Sequence, residues 1–219
     1  MKILCVLSRY AYGDPARGEN YDHAHFVPAL RELGNTVEVF DSGDRKTYAG
    51  FAELNAALLQ RIAAFRPDVI FTVLMHYEIW LETLDLVRAH TPAWIVNWGT
   101  DDSWKFVQAT RYYARHVDLH VTTDAASLDR AAALGLDNLM LSQWAASVSL
   151  LREPLPSKDC RYDVTFVGSL YGDRKRWIET LRAAGVDVKC FGHGSEHGVV
   201  ASEDIPQIIR ESRISLNFT

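Results

Sequence analysis

The chain has 219 residues, 48% hydrophobic and 23% charged, with a net charge of −5 and a pI near 5.9, the profile of a globular protein with a packed core. An acidic balance without any Lys/Arg run argues against a dedicated nucleic-acid surface, and no stretch approaches the roughly 20 apolar residues of a membrane-spanning helix. Three cysteines, Cys5, Cys160 and Cys190, are widely spaced and lack zinc-site spacing, so they read as reduced thiols of a cytoplasmic protein.

In chain order, short apolar runs alternate with amphipathic stretches of helical length, the signature of βαβ units on a parallel sheet. The N-terminal run 2–7 is too short for a signal-peptide core and reads as a first buried strand. Further strands are predicted over 36–40, 69–73, 94–98, 119–122 and 139–141, with helices over 21–33, 51–65, 77–89, 104–115 and 125–134. Together they make one complete doubly wound, Rossmann-like domain over residues 1–145. Residues 146–160, with Pro154 and Pro156, read as a linker. The alternation then restarts over 161–219: strand 163–167, helix 175–184, strand 188–191, helix 203–212, strand 214–218.

The second start resembles the first. Leu30-Arg31-x-x-Gly34-x-x-Val37-x-x-Phe40 recurs as Leu181-Arg182-x-x-Gly185-x-x-Val188-x-x-Phe191. Each glycine follows a helix, where a left-handed residue is wanted, and leads into the next strand. Any pair of βαβ units can share this pattern. With the linker, it is read as twin Rossmann-like lobes, the second only half present. A doubly wound sheet commonly runs 3-2-1-4-5-6, which would leave strand 163–167 as an open edge available for self-association.

Ligands of open parallel sheets bind beyond the carboxyl ends of the strands. The first such loop, Ser8 to Asn20, is long and lacks the G-x-G-x-x-G and P-loop spacings, so it is better suited to admitting an acceptor. Glu19, His23, His25 and Asp102 are expected to border that acceptor side and are the catalytic candidates. His76, after the third strand, is a further histidine of this kind. Asp101, Asp102 and Ser103 would serve equally as caps of the helix that follows, and adjacent aspartates are not the D-x-D spacing of a metal-held nucleotide, so no metal is inferred. In the second lobe the loop is tighter. Gly168 lets backbone approach a ligand, Ser169 offers a hydroxyl, and Arg174 with Lys175 can neutralise a diphosphate at a helix N-terminus, or form only a solvated helix start. Gly192, His193 and Gly194 follow the next strand and suit close contact with a nucleotide.

The run Tyr162-Asp163-Val164-Thr165-Phe166-Val167-Gly168-Ser169, with Asp173-Arg174, Leu181, Gly185, Phe191-Gly192 and Ser212 to Asn217, resembles the CgeB-like (spore maturation protein) glycosyltransferases. Upstream, Asp101 to Trp104, Asp118, Thr122-Thr123-Asp124, Gly135 and Asn138 fit the same family. The resemblance implies a GT-B architecture, a nucleoside diphosphate sugar as co-substrate, no metal and no other cofactor, an acceptor on the first lobe, and a donor-phosphate role for Gly168, Ser169, Arg174 and Lys175. It also implies an acidic, glycine-rich donor segment that this sequence does not contain, so the chain by itself is expected not to catalyse transfer. The rival expectations are a nucleotide-sugar epimerase of the same shape and a non-catalytic binding module.

Overall fold

The computed structural model describes residues 1–74 and 77–218. The chain divides into two compact units, residues 1–14 with 20–145 and residues 15–19 with 146–218.

The first unit is a six-stranded, all-parallel sheet in the order β2-β1-β3-β4-β5-β6. The strands are β1 (Lys2–Leu7), β2 (Thr36–Asp41), β3 (Val69–Thr72), β4 (Trp94–Gly99), β5 (Leu119–Thr122) and β6 (Leu139–Leu141). β1 pairs with β2 from Lys2↔Thr36 and with β3 from Ile3↔Val69. Five of its six residues are buried, as expected of a strand covered on both faces. Its side chains alternate between two cores. Leu4 and Val6 join Leu54, Leu58 and Ile62 of α2 (Phe51–Phe65) and Leu84 and Val87 of α3 (Leu81–His90). Ile3, Cys5 and Leu7 join Val27 of α1 (Tyr21–Glu32), Phe71 and Trp98.

α1 and α2 therefore cover opposite faces, and the chain leaves β1 to one side for β2 and to the other for β3. Right-handed crossovers require this arrangement. It puts the switch point of the sheet at the carboxyl ends of β1 and β3.

Two helices of this unit differ from the sequence expectation by more than one residue. α3 starts at Leu81 rather than 77, because the buried Asn55 side chain of α2 accepts from the Trp80 N–H (3.0 Å) and the Thr83 hydroxyl (2.7 Å) and donates to the Glu78 carbonyl (2.8 Å). The segment after β4 starts earlier, as α4 (Asp102–Lys105), and continues through π-helical Phe106–Thr110 into α5 (Arg111–Tyr113) and a 3₁₀ turn, Ala114–His116. α6 (Ala126–Ala133) leads to β6.

The second unit has a three-stranded parallel sheet in the order β8-β7-β9, made of β7 (Tyr162–Val167), β8 (Val188–Phe191) and β9 (Ser212–Leu216). The helices α7 (Arg174–Ala183) and α8 (Ile205–Arg210) connect them. Its core is Val164, Phe166, Ile178, Val188 and Cys190. The expectation that strand 163–167 forms an open edge is corrected here: β7 lies in the middle, paired with β8 and with β9. The reason is compositional. β7 carries the run Val164–Phe166, buried throughout, whereas β9 is largely exposed and fits an edge. The second sheet thus begins in the same 2-1-3 order as the first.

Candidate functional site

A cavity of about 600 Å³ opens at the switch point of the first sheet. Its walls come from the loops after four strands: Ser8 and Ala11 to Gly13 after β1, Ser42, Gly43 and Arg45 after β2, Val73 and Glu78 after β3, and Thr100 and Asp101 after β4. Asn20, Tyr21 and Asp22 at the start of α1 and the aromatic face of Trp144 complete it.

Backbone packing builds this floor. Gly13 has φ 71°, and a Cβ there would stand 2.2 Å from the Gly43 carbonyl oxygen, while a Cβ on Gly43 would meet the Ser8 hydroxyl at 2.0 Å. The two loops cross only because both positions are glycine. Asp41, at the end of β2, accepts from the Arg9 N–H (3.1 Å) and the Gly43 N–H (3.0 Å), and the Tyr48 hydroxyl donates to the Ser42 carbonyl (2.9 Å).

Asp22 is the titratable group that stands out. It lies in the first turn of α1 and is 8% exposed. Burial pushes its carboxyl up to about 6, the Asn20 side-chain hydrogen bond pulls it down, and the neighbouring Asp101 charge raises it again. A helix N-terminus favours a carboxylate anion; here desolvation and like charge outweigh that effect. Tyr21 and Trp144 meet edge to face at 5.3 Å, and Trp144 packs on Trp98 at 5.4 Å, so the aromatic wall is braced from the core.

Asp102 does not line this cavity. It is 3% exposed, and its carboxylate accepts from the Thr110 hydroxyl (2.5 Å) and sits 2.9 Å from His120 Nε2. The proton positions in this buried chain follow from Asn97. Its Oδ1 accepts from the Thr72 hydroxyl (2.8 Å) and the Leu74 N–H (2.9 Å), so its NH₂ faces His120 Nδ1 at 3.1 Å. His120 Nδ1 therefore accepts, and Nε2–H donates to Asp102. Burial raises the Asp102 carboxyl, but the hydrogen bonds from His120 and from the Thr110 and Thr122 hydroxyls hold it below the usual aspartate range. The chain ties β3, β4, β5 and α4 together and fixes the loops that carry Val73 and Asp101 into the cavity wall.

His23 and His25 are half-buried on α1, outside the cavity lining, with the His25 ring 4.2 Å from that of Tyr21. Glu19 belongs to the segment 15–19, which groups with the second unit. His76 lies outside the described residues.

In the second unit, the loops after β7 and β8 run against each other. The Gly168 N–H donates to the Phe191 carbonyl (2.7 Å) and the Leu170 N–H to the His193 carbonyl (3.0 Å). Gly192 has φ 130°, and a Cβ there would stand 2.4 Å from the Gly168 oxygen. Gly168, Ser169 and Gly192 to Gly194 are thus brought together at the carboxyl end of the sheet, with Ser169 and His193 exposed. Arg174 donates to the Ser169 carbonyl (3.2 Å) and the Phe218 carbonyl (3.0 Å) and stacks over Tyr171 at 4.2 Å. Lys175 Nζ lies apart from these carbonyls, 3.9 Å from Glu179 on the exposed side of α7. Among the described residues no three His, Cys, Asp or Glu side chains gather as a metal site requires, and no helix is long and apolar enough to cross a membrane.

Asp22 is the lining residue that sequence reasoning does not single out, whereas Asp101, read there as a helix cap, lines the cavity. Asp22 reads as an ordinary acidic first-turn residue, and nothing in its neighbours' identity announces its burial. The available signal was its place two residues beyond the first strand-to-helix loop, at the switch point.

No family model matches the chain, and no curated protein matches it. Among solved structures the chain is similar to Anabaena Alr3699/HepE in complex with UDP, at 15% identity and a TM-score of 0.49, over 98% of this chain and 73% of that one. It is also similar to the lipopolysaccharide outer core galactosyltransferase WaaB in its apo form, at 13% identity and a TM-score of 0.55, over 99% of this chain and 68% of that one. The latter likeness is one of fold: the chain has an α/β, GT-B-like architecture, with a doubly wound parallel sheet of six strands followed by three strands of a second.

Proposed function

We propose that this chain belongs to a transferase of the CgeB-like kind, which moves a sugar from a nucleoside diphosphate sugar to an acceptor held in the cavity of the first unit. The observation that carries this reading is Asp22: a buried carboxyl with its proton affinity raised to about 6, in the wall of a 600 Å³ cavity at the sheet's switch point. A base of that strength is ionised at neutral pH yet accepts a proton from a sugar hydroxyl as the hydroxyl attacks. Tyr21 and Trp144 offer ring faces for a sugar, and Ser8, Asn20 and Asp101 offer hydrogen-bonding partners for its hydroxyls.

His23, His25 and Asp102 then act behind this wall rather than on the acceptor, and the role of Glu19 is a matter for the same assay. For the donor we propose the loop after β7. The Ser169 hydroxyl and the amides at the start of α7 would receive the diphosphate, Arg174 would hold the loop in shape, and Lys175 would add charge. Gly192, His193 and Gly194 would flank the nucleotide. The fold shared with a galactosyltransferase supports this reading.

The test is transfer of labelled sugar from a panel of nucleotide sugars to candidate acceptors by the purified protein. Transfer that Asp22→Asn lowers by about 10²–10⁴-fold, the usual worth of a general base, supports the proposal. Interconversion of nucleotide sugars without any acceptor would replace it with an epimerase.

A further inference from the structure

The helical segment that follows β4 has a second face, which neither the cavity nor the core uses. Phe106, Ala109, Thr110, Tyr113 and Ala114 turn inward. On the outer side Trp104 is 59% exposed, Val107 56% and Tyr112 40%. Lys105, Arg111 and Arg115 share that side, and residues 103–117 contain no Asp or Glu in a chain whose net charge is −5. Lys105 Nζ lies 4.8 Å from the Trp104 ring centroid and the Arg111 guanidinium 4.6 Å from that of Tyr112. Lys105 and Arg111 are thus held beside aromatic rings, Arg115 donates to the Leu134 carbonyl (3.2 Å), and none of the three is ion-paired among the described residues.

We propose that this face docks the protein on an anionic lipid bilayer. Exposed Trp and Tyr cost free energy in water and are accommodated at the headgroup level, where the ring is buried and its polar atom stays wet. Lys105, Arg111 and Arg115 on the same face draw the helix to a negative surface, on which it lies flat. The helix is too short to span a bilayer and has its opposite face committed to the core, so it lies on the membrane and does not enter it. In a two-fold pairing a second copy would bring the same three cations to this face, so charge complementarity favours an anionic lipid surface there. The segment starts beside Thr100 and Asp101, which line the cavity. If the transferase reading also holds, the acceptor presented to that cavity is lipid-linked; the docking itself does not depend on that reading.

The experiment is co-sedimentation of the 219-residue chain with vesicles of phosphatidylcholine alone and of phosphatidylcholine mixed with phosphatidylglycerol. The expected result is binding to the mixed vesicles only, lost between about 0.1 M and about 1 M salt. Arg111→Ala/Arg115→Ala should weaken it about 30-fold, at roughly 1 kcal/mol per basic residue. Trp104→Ala/Tyr112→Ala should weaken it while circular dichroism shows an unchanged fold. A positive control against misfolding is Trp104→Phe, which should retain binding but lose part of the tryptophan quenching by brominated lipid. No sedimentation with the mixed vesicles at low salt, or binding equal in wild type and both double variants, would overturn the proposal. Because no sugar donor is present, a failed transferase assay leaves this result standing, and the converse.

Discussion

At the scale of single residues, two buried aspartates in the first unit have opposite environments, and that difference assigns them different work. Asp22 faces desolvation and the like charge of Asp101, so its folded proton affinity rises from the ordinary 3.8 to about 6. The folded chain then keeps a proton that the unfolded chain has released. Stability accordingly falls as pH rises from about 4 to about 6 and is flat above, with a total loss on the order of 2–3 kcal/mol. Asp22→Asn removes that penalty. We expect the variant to melt at a higher temperature than the wild type at pH 7.5 and to show a flatter stability profile between pH 4 and 6, while losing transfer activity. Equal melting temperatures across that range would mean that Asp22 is not desolvated in solution. Asp102 behaves in reverse: its carboxyl is held low, so its contribution is complete at neutral pH and lost only as pH falls through its folded value. Asp102→Ala would leave His120 Nε2–H and the Thr110 hydroxyl buried without their acceptor, at a cost of about 3 kcal/mol or more, read as a lowered denaturation midpoint. Nothing in the local sequence distinguishes these two carboxylates. Both occupy the first turn of a helix after a strand, and only the tertiary neighbours, Asp101 for one and His120 for the other, separate them.

At the scale of elements, the strands and helices were legible because their apolar periodicities are strong. β1, β5, β6 and β8 fall on the expected residues, as does α2, whose Leu54, Leu58 and Ile62 repeat at helical spacing. What the sequence could not show was pairing. Strand order depends on which side of β1 each crossover returns, and both sheets place their third strand next to their first. The start of α3 was equally hidden, since it is set by one amide from α2, Asn55, 23 or more residues away in the chain. The glycines at loop crossings carry a sharper prediction. Gly192→Ala must put a methyl 2.4 Å from the Gly168 oxygen at a φ of 130°, where the obstacle is backbone and cannot swing aside. We expect loss of at least about 2–3 kcal/mol and loss of any nucleotide binding by the β7 and β8 loops. Gly185→Ala, which has nothing within 4 Å but a φ of 88°, should cost only the backbone strain, on the order of 1–2 kcal/mol. A Gly192→Ala variant as stable as wild type would show that the two loops do not lie against each other.

At the scale of the whole molecule, the two units differ in how much apolar surface each buries, and the difference predicts the order in which they come apart. The first unit has seventeen buried residues in one core and seven in the other, on the two faces of its sheet. The second has five, with Leu170, Leu181, Val186, Leu216 and Phe218 only partly covered. At roughly 1.5–3 kcal/mol per fully buried large aliphatic or aromatic side chain, a core of five offsets little of the conformational entropy of ordering some eighty residues, and the second unit is therefore the weaker. Independent cores in one chain also break the all-or-none behaviour of a small single domain. Trp177 is the only one of the six tryptophans in the second unit, packed edge to face on Phe218 at 5.3 Å, and the other five belong to the first. Urea unfolding followed by tryptophan emission should accordingly show two steps, with the smaller one at lower denaturant. Trp177→Phe, at an exposed position that tolerates the change, should remove the amplitude of that first step and leave the second in place. Hydrogen exchange should agree, with the amides of β7, β8 and β9 exchanging through a lower opening free energy than those of β1, β3 and β4. A single transition seen identically by Trp177 and by the other five tryptophans, with uniform protection in both sheets, would show that the two cores unfold as one.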